Sequence, residues 1–168
     1  MTFCLTRART FIVFVTGVML GGTAMIVTAQ SNRIPGNNGV NHVGINVADM
    51  NEAIAFYGKN FGFGEAAIIR DDKGQPTLAF IQVSRNTFIE LGPATAERPA
   101  GINHFGIHVD DAKAATTALR QRGVTIDDPR VGRTISFITS VTDPAGVRME
   151  LSEIGPGSMF GKAIASWK

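Results

Sequence analysis

Residues 41–49 read NHVGINVAD and residues 103–111 read NHFGIHVDD, identical at six of nine positions. A second landmark repeats at almost the same interval. His42 and His104 are 62 residues apart, and Glu90 in FIELG and Glu150 in RMELS are 60 apart. Matched landmarks at a fixed period mark a duplicated module. This repeat constrains the fold more than any other feature of the chain.

The periodicities within each copy agree in order. In VNHVGINV the residues Val43, Ile45 and Val47 alternate with His42, Gly44 and Asn46, the period-two pattern of a half-buried strand. Asp49 followed by Glu52 forms a capping box for a helix from about Met50 to Asn60, which Gly62 stops. Strands are expected at about Ala66–Arg70 and Thr77–Val83 around the turn DDKGQP, and at TFIELG. The second copy repeats the order. INHFGIHV is a strand, and a helix follows with Asp110 or Asp111 capping it and Gly123 stopping it. TISFITSV and VRMELSE are strands around the turn DPAG, and Val124–Arg133, which contains Pro129, is the weakest strand signal. The expected fold is α+β, with two tandem βαβββ modules at about 40–94 and 101–154. The tail 155–168 packs back on the domain.

The chain ahead of the repeat has a different character. Arg7 and Arg9 precede a long uncharged apolar run that ends with Val27 and Ala29 at the −3 and −1 positions of a cut before Gln30. A basic start, an apolar middle and a small-residue exit are the features of a secretory signal peptide over residues 1–29. The expectation is an exported protein, periplasmic or secreted, with residues 30–39 as a polar linker. An uncleaved N-terminal membrane anchor is the alternative. Two of the 16 Lys+Arg and none of the 14 Asp+Glu fall in residues 1–29, so the remainder carries 14 of each and is formally neutral. That balance supports neither nucleic acid nor an anionic membrane as a partner. The only cysteine, Cys4, also lies in the leader, so the exported chain has no disulfide and no thiol nucleophile.

Strand parity sets the direction of each polar residue. His42, His104, Glu90 and Glu150 all lie opposite the apolar residues of their strands, so they share the face turned away from the helices. Two copies with facing sheets aim two imidazoles and two carboxylates into one cleft. The offsets from His42 to Glu90 and from His104 to Glu150 are 48 and 46. Neutral imidazoles and carboxylates without thiolates suit one divalent first-row metal ion with positions open to water or substrate. His108 has no histidine counterpart, because Asn46 stands at that place in the first copy, and this differing pair is a candidate substrate contact. Arg148, on the Glu150 face, is a candidate for an anionic group, and Phe88, with Phe80 and Phe137, for the wall of the cleft.

These residues resemble the vicinal oxygen chelate superfamily (glyoxalase, bleomycin resistance, extradiol dioxygenase) over about Val40–Ile154. NHVGINVADMNEAIAFYGKNFGF is similar to its opening strand and helix, and TSVTDPAGVRMELSE to its closing hairpin. The His-Glu-His-Glu order is similar to that of glyoxalase I. The resemblance implies that His42, Glu90, His104 and Glu150 are ligands of one divalent ion (Ni, Zn, Co, Mn or Fe). It also implies that a ligand glutamate, Glu90 or Glu150, moves a proton between adjacent carbons through a metal-stabilised enediolate. Ring-cleaving dioxygenases and fosfomycin-type transferases of the superfamily show two His and one Glu, and methylmalonyl-CoA epimerases commonly carry Gln at the Glu90 position. Glyoxalase I usually has Arg four residues after its first ligand and Asn four after its second, both serving glutathione. Asn46 and Ala94 stand there in this chain.

The expected function is therefore an exported, metal-dependent isomerase or lyase acting on a small oxygenated molecule. The alternatives are an Fe(II) ring-cleaving dioxygenase and a non-catalytic protein that sequesters an antibiotic or another small molecule. The repeat leaves open whether one chain completes the cleft or two chains exchange modules across a homodimer.

Overall fold

A computed structural model describes residues 33–168; the proposed signal peptide lies outside the described residues. The first copy contains β1 (Asn37–Val47), α1 (Met50–Phe61), β2 (Gly64–Arg70), β3 (Pro76–Ser84) and β4 (Thr87–Pro93). The second contains β5 (Gly101–Val109), α2 (Ala112–Gln121), β6 (Arg130–Val131), β7 (Phe137–Thr142) and β8 (Arg148–Glu153), and α3 (Met159–Ser166) follows.

Local chemistry explains the helix ends. Asp49 is extended and accepts the Asn51 and Glu52 amides at 2.8 and 3.0 Å, which satisfies two donors that α1 leaves free. Gly62 closes α1 at φ 67°, a left-handed conformation that costs glycine nothing. Of the two candidate caps for α2, Asp111 is the one used, accepting the Ala114 amide at 2.9 Å.

Within the first copy the spatial order is β2-β3-β4-β1, with β4 and β1 parallel. The second copy mirrors it as β5-β8-β7-β6, with β5 and β8 parallel. The copies join edge to edge where β1 pairs antiparallel with β5, giving one eight-stranded sheet instead of the two facing sheets expected from strand parity. The mixed α+β half-barrel curls around the face that carries His42 and His104.

In the first copy the apolar parity faces α1. Met50 and Ile54 of α1 pack with Ala79, Ile81 and Leu91, and Ile45, Val47 and Ile89 close around them. On the other side, Phe80 and Phe88 meet Phe160 and Ala163 of α3. The tail thus docks as an amphipathic helix, capped by the Ser158 hydroxyl, which accepts the Gly161 amide.

Two boundaries differ from the sequence expectation. Asn37 to Gly39, assigned to the linker, extend β1, because Asn37 pairs with Val109 and the Asn38 amide donates to the Asp110 carboxylate at 2.7 Å. The weak strand shrinks to Arg130–Val131, since Pro129 has no amide to donate and Gly132 begins a tight loop to Ser136.

Candidate metal cleft

The β1–β5 register explains the histidine and the glycine of the NHxG repeat. His42 stands opposite Gly106, and Gly44 opposite His104. Directly opposed residues of an antiparallel pair project from the same face, so each imidazole lies over the glycine of the other copy. A Cβ on Gly44 would overlap the His104 ring, and one on Gly106 would overlap the His42 ring. The glycines are the space that the histidines occupy.

The asparagines set the ring tautomers. Asn41 Oδ1 lies 3.0 Å from His42 Nδ1, and Asn103 Oδ1 likewise pairs with His104 Nδ1. A carbonyl oxygen only accepts, so both Nδ1 atoms hold the proton and both Nε2 atoms carry a lone pair. Those Nε2 atoms face each other at 3.1 Å in the interior, with His42 fully buried. Two opposed lone pairs repel unless a cation lies between them.

Parallel pairing brings in the carboxylates by the same rule in each copy. Glu90 of β4 stands opposite Gly44, and Glu150 of β8 opposite Gly106. Glu90 Oε2 is 3.6 Å from His42 Nε2 and 3.7 Å from His104 Nε2. The donor atoms of His42, Glu90 and His104 all lie within 4.8 Å of one another. Two nitrogens bound at right angles to one ion at about 2.1 Å stand about 3.0 Å apart, so the spacing of the pair fits a shared cation. The N/O donor set suits a divalent first-row metal.

Glu150 is placed differently. Its Oε1 is 3.9 Å from His42 Nε2, and both oxygens are engaged, Oε2 by Arg148 at 2.9 Å and Oε1 by the Ser152 hydroxyl at 3.0 Å. Burial, together with the nearby charge of Glu90, raises its pKa above the ordinary carboxylate value, against the pull of Arg148 and Ser152. Burial also acts to raise Glu90, but the close approach of His104 and His42 and the positive charge of Arg148 outweigh it, and its pKa falls below the ordinary carboxylate value. Burial lowers His42 to about 4, assisted by His104 and Arg148 and opposed by Glu90, so this imidazole is neutral near pH 7.

Above these groups opens a cavity of about 760 Å³, lined among others by Asn46, Phe80, Glu90, His104, Arg148, Glu150 and Phe160. Asn46 lines it, but its amide is committed. It accepts from Asn103 at 2.6 Å and donates to the Pro99 and Arg98 carbonyls at 3.2 and 3.4 Å, pinning the loop between the copies. His108 and Phe88 are not part of the lining. His108 faces Ser152 farther along β5, and Phe88 is 1% exposed in the aromatic core beneath the cleft. Phe137 is partly exposed and does not line the cavity either.

Four features escaped the sequence reading. Phe160 stacks on the His42 ring (centroids 5.9 Å, interplanar angle 18°) and contacts Phe80 and Phe88 edge-on. The apolar spacing of Met159, Phe160, Ala163 and Ile164 signals a docking helix, although nothing in it names the target. Asn41 and Asn103 were visible as repeated letters without a role. Ser152 becomes legible only through strand parity, two residues beyond Glu150. Arg98, Arg130 and Arg133 line the cavity from loops and a strand edge that have no periodicity to read.

A mirrored pair of βαβββ modules here brings imidazole and carboxylate donors together at their seam, in a group that could hold a metal ion. The chain belongs to the Glyoxalase/Bleomycin resistance protein/Dioxygenase superfamily, whose family model matches residues 39–151. Among solved structures it is similar to methylmalonyl-CoA epimerase from Mycobacterium tuberculosis, with 30% identity and a TM-score of 0.63 over 74% of this chain and 93% of that one. A Streptomyces coelicolor methylmalonyl-CoA epimerase variant in complex with 2-nitronate-propionyl-CoA shares the fold at 24% identity. Its TM-score is 0.57 over 69% of this chain and 96% of that one. No curated protein matches the sequence.

Proposed function

We propose that the protein is a metal-dependent isomerase or lyase that moves a proton beside a carbonyl of a small oxygenated substrate, with Glu150 as the base. The observation that carries this reading is the convergence of His42, His104 and Glu90 on one point, with the Glu150 carboxylate beside it. His42, Glu90 and His104 would hold a divalent ion (Ni, Zn, Co, Mn or Fe), which supplies stabilisation of a developing oxyanion. Glu150 takes the proton. Its raised pKa makes it a stronger base than an exposed carboxylate, and Arg148 and Ser152 fix its orientation. Phe80 and Phe160 keep water from the reacting face.

Two carboxylates line the cavity among the described residues, and Glu90 is committed to the imidazoles. One base remains. This favours transfer on one face of the substrate over an epimerisation that uses separate bases on opposite faces.

The test incubates metal-loaded protein with small 2-oxo and 2-hydroxy acyl compounds in D2O and follows C–H exchange by NMR. Glu150→Gln should lose exchange and keep stoichiometric metal. Absence of stoichiometric metal in the wild type, or full occupancy in His42→Ala, Glu90→Ala and His104→Ala, overturns the proposal. A second reading has its own support, since two imidazoles and one carboxylate are also the donor set of non-haem Fe(II) oxygenases. Tight Fe(II) binding under anaerobic conditions with substrate-dependent oxygen uptake would favour it. Export rests on residues 1–29 alone. Fractionation and N-terminal sequencing should find a chain that starts at Gln30 outside the cytoplasm.

A further inference from the structure

The cavity departs from the charge balance of the rest of the chain. From Gln30 onward the sequence has 14 basic and 14 acidic residues. Four of those basic residues line the cavity, Arg98, Arg130, Arg133 and Arg148, against two acids, Glu90 and Glu150. All four are arginines. The five lysines (59, 73, 113, 162 and 168) lie elsewhere.

The acids do not neutralise the set. Glu90 points at the imidazoles, and Glu150 is paired with Arg148. Arg133 reaches across from the second copy to neutral Thr77 of β3, donating to its hydroxyl at 2.5 Å and its carbonyl at 3.2 Å. The side chains of Arg98 and Arg130 make no hydrogen bond or salt bridge among the described residues, and Glu97, whose carboxyl Arg98 only weakly helps to hold below the ordinary value, is exposed and outside the lining. The arginines arrive from separate parts of the fold: the loop between the copies, β6 and the loop after it, and β8.

Guanidinium groups present a planar fork that matches carboxylate and phosphate oxygens, and a concave wall of one sign concentrates ions of the other. We infer that the cavity mouth formed by Arg98, Arg130 and Arg133 is a binding site for an anionic group, carboxylate or phosphate, remote from the reacting carbon of the substrate. This inference rests on the metal-cleft reading for its term "reacting carbon", while the anion site itself stands on the arginines alone. It narrows the substrate to a small oxygenated molecule with a charged tail, and neutral dicarbonyls become poor ligands.

The experiment titrates malonate and inorganic phosphate into the purified protein by calorimetry, once loaded with Ni2+ and once stripped of metal. Binding is expected in both forms, weakening as salt rises, and the preferred probe identifies the class of the tail. The double variant Arg98→Gln/Arg130→Gln should bind at least tenfold more weakly at unchanged metal content. Lys59→Gln/Lys113→Gln, which removes the same charge outside the cavity, should bind as wild type does. Equal weakening in both double variants, no weakening in the arginine variant, or no binding of either probe overturns the inference. His42→Ala separates the two readings. If its metal content is intact while anion binding persists, the metal assignment fails and the anion site stands; if metal is lost and anion binding persists, both stand.

Discussion

His42 and His104, 62 residues apart in the chain, present their Nε2 atoms to each other at 3.1 Å, each ring seated over the glycine of the other's copy. The duplication is therefore reciprocal. Neither copy provides room for its own histidine; each provides room for its partner's.

The reciprocity predicts crossed effects. Gly44→Ala should displace His104, and Gly106→Ala should displace His42, although neither glycine touches metal. We expect metal affinity to fall at least tenfold in both variants, with about 1–3 kcal/mol of destabilisation from overpacking. Chelator competition and urea melts measure the two effects. Wild-type affinity in either variant would contradict the close approach.

The asparagines should act through the imidazoles. Asn41→Ala and Asn103→Ala remove the acceptor that holds Nδ1–H, so metal affinity should drop about 10- to 100-fold, as for other groups that orient a ligand. Aspartate keeps the acceptor oxygen, and Asn41→Asp should recover most of the loss. NMR of the imidazole nitrogens in the metal-free protein should show Nδ1–H in the wild type and a tautomer mixture in the alanine variants.

Acid should unfold the metal-free protein early. An unfolded His42 takes up its proton near the ordinary imidazole value of 6.5, whereas burial holds the folded group to about 4. The His42 contribution is complete above pH 6.5 and is lost as pH falls toward 4, by up to roughly 3 kcal/mol. Glu90, with a lowered pKa, shifts stability in the same direction, and Glu150, raised by burial and by Glu90, shifts it the opposite way. Urea melts at pH 7.5 and 4.5 should differ accordingly, and His42→Gln should flatten the dependence.

The tail should matter to the core and to the site. Phe160→Ala leaves a hole between Phe80, Phe88 and the His42 ring, and we expect about 3–5 kcal/mol of destabilisation. A protein that keeps wild-type stability after this change would show that α3 docks only superficially.

Much of this could be read from the chain alone, because strand and helix periods are local. The alternation around His42 and His104 put both histidines on the face opposite the apolar residues, and the 60-residue echo of Glu90 in Glu150 put the carboxylates there too. Asp49 and Gly62 marked the ends of α1 correctly, because caps act within a few residues. Differences between the copies carried less information. Asn46 and His108 occupy equivalent positions, yet Asn46 is tied to the loop at Arg98 and Pro99, and His108 lies outside the cavity lining.

What the sequence determined by itself was the repeat, the side of each strand on which its polar residues stand, and a donor set suited to a divalent metal. Only the tertiary structure decided how the copies meet. Register between β1 and β5 is a long-range choice that periodicity does not encode, and it alone seats each imidazole over the opposite glycine within one chain. It also decided that Glu150 stands apart from the other three donors, held by Arg148 and Ser152, and that a distant helix closes the wall with Phe160. The arginines of the cavity mouth come from loops and edges, where position depends on the assembled sheet and no local pattern announces it.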